Sequence, residues 1–307
     1  MARLLLCANP AASGFTGGLH RDVLDRLRAS YDVESEWPKT PSDTRRLSAA
    51  AARDGYTAVI AMGGDGVVHH VAHGVSGSDA ALGIIPVGTT NVFGRLIGVP
   101  TDPHAAAAVI CDAPARKPVT SAALSLTHHG STEHRTATFA VGAGFDAEVV
   151  QVAEKEPFRK YRFGGVHYAR NAAGVAWKRF GDTEATLRVT ADEREADAAA
   201  VMVQLHARYS YFGRLPLRIG GHAPGTATVM VARSLTRRDI APILLRIASG
   251  RTLDSVGDIE VWEGVAQLEI TRRQDPVPFQ ADGELLGTPT RVGIEVSGDR
   301  LHVLVPG

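Results

Sequence analysis

The sequence predicts an α/β chain: an N-terminal Rossmann-like parallel-sheet domain followed by a C-terminal β-rich domain built as an antiparallel sandwich. Three observations carry this. Strand-like and helix-like runs alternate through roughly the first 112 residues, the pattern of a mainly parallel sheet covered by helices. From about Pro118 the texture changes to short alternating runs separated by Gly, His, Asp and Asn turns, which suits antiparallel pairing. A length of 307 residues is enough for two domains with ordinary hydrophobic cores.

In the first half, apolar runs predict strands over 3–8, 31–37, 57–62 and 81–85. Between them, residues 19–29 place Leu19, Val23, Leu24 and Leu27 at helical spacing. The Ala-rich run 44–53 reads as a helix opened by Ser42 or Asp43 and closed near Gly55, and residues 67–76 as another. Asp102 and Pro103 read as N-cap and first position of a helix over 105–110. In the second half, strands are expected at 119–127, 136–141, 185–190, 199–206, 227–232, 265–271, 291–296 and 301–305, with helices over 168–180 and 238–248. The absence of a long linker predicts closely packed domains with a cleft between them.

Composition excludes several classes. Lys plus Arg and Asp plus Glu both number 33, so net charge is zero and no global field attracts nucleic acid. Two cysteines, Cys7 and Cys111, fit a reducing compartment, so the cytoplasm is expected. The start, Met1 through Ala8, stops at Asn9-Pro10, too short for a signal peptide or a membrane span. With no run of 18 apolar residues elsewhere, membrane contact is expected to be peripheral. Six basic and six aromatic residues interleave over 158–180, a mixture suited to an anionic bilayer surface.

Chemistry concentrates at strand ends. Gly63-Gly64-Asp65-Gly66 follows the third strand: glycines let the backbone approach a ligand, and the amides of the following helix point at an anion. Asp65 is the one charge in that loop, placed to take a proton from a hydroxyl or to hold magnesium through water. By itself the run is equally a tight turn with Asp65 as helix cap. A second loop, Pro86-Val87-Gly88-Thr89-Thr90-Asn91, offers hydroxyls and amides for a phosphate, or a plain turn with Asn91 as cap. A third, Asn9-Pro10-Ala11-Ala12-Ser13-Gly14, follows the first strand, and parallel sheets bind ligands at such carboxyl ends. Asp282-Gly283-Glu284 reads locally as a hairpin turn, His128-His129-Gly130 as a hairpin tip, and His69 with His73 as surface or phosphate-facing histidines rather than metal ligands.

Taken together these motifs resemble the diacylglycerol kinase catalytic family, which includes bacterial diacylglycerol kinases and related lipid kinases, sphingosine kinases and ceramide kinase. The pattern Asn-Pro-x-Ser/Ala-Gly matches residues 9–14 with a one-residue ambiguity, Gly-Gly-Asp-Gly matches 63–66, Pro-x-Gly-Thr-x-Asn matches 86–91, and Asp-Gly-Glu matches 282–284. The resemblance implies an ATP-dependent lipid kinase with Mg2+, acting on a hydroxyl of a diacylglycerol-like lipid at a membrane surface. It implies a nucleotide-binding domain over 1–117, a lipid-substrate domain over 118–297, and residues 298–307 packing back on the first. Nucleotide contacts carry over to Asn9, Pro10, Ser13, Gly14, Thr40, Gly63, Gly64, Asp65, Gly66, Thr89, Thr90 and Asn91, and proton transfer to Asp65 or Glu284.

The chain departs from the pattern at Val67 and His70, where the family has Thr and Glu, and in residues 217–225, which lack the carboxylates of the bacterial magnesium loop. The departures leave a non-catalytic nucleotide- or lipid-binding member of the family as the alternative, with an NAD kinase as a third reading. No nucleic-acid partner is expected; oligomeric state is left open, a homodimer being one option.

Overall fold

A computed structural model describes residues 1–112, 114–154, 185–212, 215–254, 256–273 and 275–307. The stretch 158–180 and the helix expected over 168–180 lie outside the described residues. The chain divides into two units, Met1–Val119 with Gly298–Gly307, and Thr120–Ser297.

In the first unit, β1 (Arg3–Ala8), β2 (Asp32–Glu36), β3 (Ala58–Gly63) and β4 (Ala81–Pro86) pair in the order β2-β1-β3-β4, all parallel. Buried on both faces, β1, β3 and β4 are near-continuous apolar runs, as parallel strands must be. The connections are α1 (Gly17–Arg28), α2 (Pro41–Arg53) and α3 (Asp65–Val75), with α4 (Val92–Leu96) and α5 (Pro103–Cys111) following β4. Leu4, Leu6, Ile60, Met62 and Ile85 of the sheet pack with Val23 and Leu27 of α1 and Ile110 of α5.

The second unit holds α6 (Phe145–Glu154), α7 (Arg237–Ala248) and two sheets. One sheet runs antiparallel through β7 (Ala140–Gly144), β10 (Ala200–Gln204), β13 (Ala227–Ala232), β14 (Ile259–Val265), β16 (Phe279–Ala281) and β17 (Glu284–Gly287), in the order β14-β13-β10-β7-β16-β17. The other contains β5 (Ala115–His128), β6 (Ser131–Ala137), β8 (Leu187–Ala191), β9 (Arg194–Ala198) and β15 (Gln267–Arg272). A small hairpin joins β11 (Ser210–Phe212) and β12 (Leu215–Leu217). Alternate side chains from both sheets, among them Leu124, Val141, Val203, Val231, Ile270, Phe279 and Ile294, form one core, which is the packing of a sandwich. The last strand, β18 (Arg291–Val305), serves both units: residues 291–295 pair with β15, and Val303 lies parallel to Leu82 of β4.

Four expectations are corrected. Helix α2 is capped by Thr40, whose hydroxyl accepts the Asp43 N–H at 3.1 Å, rather than by Ser42 or Asp43, because Pro41 occupies the first position, where a missing N–H costs nothing. The strand expected over 136–141 is two strands in different sheets, because Thr138 and Phe139 turn their N–H groups to the Asp282 carboxylate instead of a ladder. The strands expected at 291–296 and 301–305 are one continuous strand, β18, and within it the Arg300 carbonyl accepts the Gly77 N–H at 2.7 Å. Helix α6 and strands β9, β11, β12, β14, β16 and β17 were not expected; four of these strands are only three or four residues long and carry little periodicity.

The Asp102 carboxylate accepts the Ala105 N–H at 2.8 Å at the start of α5. Asp102→Ala is expected to lower stability by about 1 kcal/mol and Asp102→Asn by much less, read as shifts of the denaturant midpoint with unchanged circular dichroism.

Candidate functional site

Because β1, β3 and β4 are parallel neighbours, the loops leaving their carboxyl ends share one edge of the first unit. A single residue ties them: the Val87 N–H donates to the Gly63 carbonyl at 3.0 Å, and the Val87 carbonyl accepts the Gly14 N–H at 2.8 Å. The Asn9 N–H extends the β1–β3 ladder to Met62, and its side-chain oxygen accepts the Ala11 N–H at 2.9 Å, closing a turn around exposed Pro10. Across the same edge the exposed hydroxyls of Ser13 and Thr89 are 3.0 Å apart.

Two glycines set how closely the loops approach. A Cβ on Gly88 would lie 2.5 Å from the Gly64 Cα, so no larger residue fits there. Asn91 does not cap α4 with its side chain, as the sequence suggested. It sits in the left-handed region at φ 46° and turns its amide back to Gly88, accepting that N–H at 3.2 Å and donating to its carbonyl at 2.8 Å. Thr90 is half-buried between them.

Gly64, not Asp65, occupies the cap position of α3 in extended conformation. Asp65 is the first helical residue, and its Oδ1 accepts the Phe93 N–H at 3.1 Å, joining the glycine loop to α4. A carboxylate at a helix start is held in place by the dipole and by that donor. Ser13, Gly14, Gly63, Gly64, Asp65, Gly66, Thr89, Thr90, Asn91, Asn9 and Pro10 thus lie on one set of loops. Thr40 is exposed at the start of α2, its hydroxyl bonded to Asp43 and Ser42.

Of the α3 histidines, His73 is partly exposed, but His69 and its neighbour His70 are not at the surface. His69 is 1 % exposed and His70 8 %, their rings meet edge-on at 5.0 Å, and His70 Nδ1 lies 3.1 Å from the Arg45 guanidinium of α2. An apolar run, Val67 through Ala72, surrounds them and places them inward, a signal the i, i+4 spacing of His69 and His73 obscured. Among the described residues no three His, Cys, Asp or Glu side chains are grouped to hold a metal ion.

Glu284 belongs to the second unit, as the first residue of β17. The turn before it has positive φ at Asp282 (55°) and Gly283 (83°), the two-residue hairpin that Asp-Gly favours. Buried polar contacts fix this turn from both sides. The Asp282 carboxylate accepts the N–H groups of Thr138, Phe139 and Ala140 and the Thr138 hydroxyl, at 2.7 to 3.1 Å. The Gln280 side chain accepts the Gly283 N–H at 2.8 Å and donates to Asp146 at 2.6 Å and to the Tyr209 hydroxyl at 2.9 Å. Tyr209 in turn donates to Asp146 at 2.5 Å. Burial pushes the Asp146 carboxyl up against the opposing effect of the hydrogen bonds from Tyr209 and Gln280, although the residue keeps some exposed surface. Sequence reading missed Asp146, Tyr209 and Gln280, which lie 63 and 71 residues apart along the chain.

His206 completes this framework, its Nε2–H donating to the Thr138 carbonyl at 2.9 Å. Burial lowers its pKa from 6.5 to about 4.

Two family models match the chain, the diacylglycerol kinase catalytic domain over residues 3–121 and the YegS C-terminal NAD kinase beta sandwich-like domain over residues 139–305. A fold with a parallel-sheet unit, glycine loops at its carboxyl edge and a β-sandwich unit is that of the diacylglycerol and lipid kinases. The chain belongs to the diacylglycerol kinase catalytic family. Among curated relatives, it is 48% identical over 71 residues to a diacylglycerol kinase of Mycobacterium tuberculosis, 23% of each chain. It is 38% identical over 99 residues to a Pseudomonas putida protein named "Probable lipid kinase YegS-like", 31% of this chain and 33% of the relative. The match therefore spans about a quarter to a third of those relatives. A crystal structure titled as a diacylglycerol kinase from Bacillus anthracis superposes with a TM-score of 0.69 over 99% of this chain and 96% of that one, at 19% identity, a likeness of fold.

Gly88→Ala is expected to abolish nucleotide binding by calorimetry while leaving the chain folded, since the strain falls on the contact of Gly88 with Gly64. His206 gives a pH test. Its folded pKa lies below the unfolded value, so its neutral form stabilises the fold fully above pH 6.5, and stability is lost as pH falls from 6.5 to about 4. Relative to His206→Gln, which keeps a donor for Thr138, the wild type should lose roughly 3 kcal/mol over that window in denaturant titrations.

Proposed function

We propose that the protein is an ATP-dependent lipid kinase that phosphorylates a hydroxyl of a diacylglycerol-like lipid. The observation that carries this reading is the joining of three loops through Val87, with the Ser13 and Thr89 hydroxyls and the start of α3 at one edge. Backbone amides, small residues and hydroxyls in that arrangement suit a polyphosphate. In the reaction the lipid hydroxyl oxygen attacks the γ-phosphorus, the bond to the bridging oxygen of ADP breaks, and the hydroxyl proton passes to a carboxylate, Asp65 or Glu284.

Magnesium bound with the triphosphate would neutralise its charge, and Asp65 is the loop carboxylate that would hold it through water. The chain's contribution is then positioning: amides for charge on the transferred group, and Asp65 as the carboxylate of the glycine loop. A lipid substrate implies peripheral association with a membrane surface from the cytoplasmic side. The interleaved basic and aromatic residues of 158–180 support that, and among the described residues no helix is long and apolar enough to cross a membrane.

A second reading, a member that binds nucleotide or lipid without turnover, is favoured by one contact. His70, where the family has Glu, is engaged with Arg45 at 3.1 Å.

Labelled γ-phosphate from ATP should appear in dioctanoylglycerol presented in mixed micelles with magnesium. Asp65→Asn should reduce that rate about 100-fold or more. ATP binding without product across a panel of diacylglycerols, sphingoid bases and ceramides would instead establish the non-catalytic reading.

A further inference from the structure

Among the Phe, Tyr and Trp side chains whose burial is described, one is exposed: Trp37, at 48 %, just past the carboxyl end of β2. Exposed tryptophan surface is costly in water, and a single isolated case on a surface needs no explanation. This one is not isolated. Phe15 meets its ring at 5.5 Å and 80°, His20 at 5.1 Å and 71°, and Phe15 and His20 lie 5.9 Å apart. Perpendicular contacts from two rings fix the plane of the indole while leaving nearly half of the residue open.

The cluster is chained to the candidate phosphate edge. Phe15 follows Ser13 and Gly14 directly, its N–H donates to the Ala12 carbonyl at 3.0 Å, and the preceding Gly14 N–H is held by Val87. Along the backbone the Cα atoms of Ser13 and Phe15 are two residues apart, about 7 Å at full extension. Thr40, another exposed hydroxyl expected at the nucleotide, lies three residues beyond Trp37. His20 bonds Ser35 at 3.1 Å, and burial and Arg28 lower its pKa, which favours the neutral ring. A rigid aromatic plane beside an anion-suited edge matches a ligand that is planar and apolar at one end and polyanionic at the other.

We propose that Trp37, held by Phe15 and His20, is the platform on which the purine ring of a nucleoside triphosphate stacks when its phosphates lie on the loops at 9–14, 63–66 and 86–91. The inference rests on the nucleotide reading of those loops and adds a residue that selects for a base. No family motif quoted for this chain includes Trp37.

Calorimetric titration of the full chain with magnesium and either ATP or inorganic tripolyphosphate tests it, in the wild type, Trp37→Ala and Trp37→Phe. Stacking on one aromatic ring corresponds to roughly a tenfold change in affinity. Trp37→Ala should weaken ATP by about tenfold and leave tripolyphosphate unchanged, and Trp37→Phe should restore most of the ATP affinity. Equal weakening of both ligands would mean that Trp37 only supports the 9–14 loop, and no weakening of either would remove it from the site; each overturns the inference. A Trp37→Ala variant with normal ATP affinity but reduced sedimentation with phosphatidylglycerol vesicles would assign the indole to a membrane instead. Failure of the wild type to bind ATP at all would bring down the nucleotide reading itself, an outcome distinct from the other three.

Discussion

The backbone of Val87 is the constraint on which the candidate site depends. Its N–H and carbonyl bind Gly63 and Gly14, so one buried residue sets the spacing of three loops. That is feasible only because β1, β3 and β4 are adjacent and parallel, which delivers their carboxyl ends to one edge, and because Gly64 and Gly88 have no side chains to hold the loops apart. The Asp65 bond to Phe93 then locks the glycine loop to the helix after β4. Each interaction is of the ordinary size for a hydrogen bond, about 1 kcal/mol, but together they fix positions that a phosphate needs fixed beforehand.

The sandwich unit solves a related problem by different means. An Asp-Gly turn has few intrinsic contacts, yet it carries Glu284. Four donors on the Asp282 carboxylate and the Gln280 bridge to Tyr209 and Asp146 hold it from both sides. A buried network of this kind works when every member is satisfied, and loosening any member exposes the others to an unpaired state.

Much of the fold was legible because it follows from periodicity. The apolar runs at β1, β3 and β4 and the helical spacing in α1 have no competing interpretation, and the β13 run 227–232 matched its strand to the residue. What was not legible depended on partners distant in sequence. Thr138 and Phe139 leave their strand for a carboxylate more than 140 residues away, and residues 297–300, between two expected strands, are held extended by neighbours that include Gly77. At the candidate site, the glycines, Asp65 and the two hydroxyl loops could be named from their residue types, since each offers a backbone freedom or a functional group that few other residues have. Asp146, on α6, Tyr209, in the loop before β11, and Gln280, on β16, could not, because a polar residue gives no sign that its partner is another polar residue 63 to 134 positions away. The inward placement of His69 and His70 was obscured for the same reason, their identity suggesting chemistry where their apolar neighbours fixed burial.

The central claim is that one coupled set of loops receives the phosphates of a nucleotide. Hydrogen exchange of the full chain with and without ATP and magnesium tests it most directly. Slowed exchange at 9–14, 63–66 and 86–91 together is the predicted result. Protection confined to one of these segments, or appearing only elsewhere in the chain, would contradict the account.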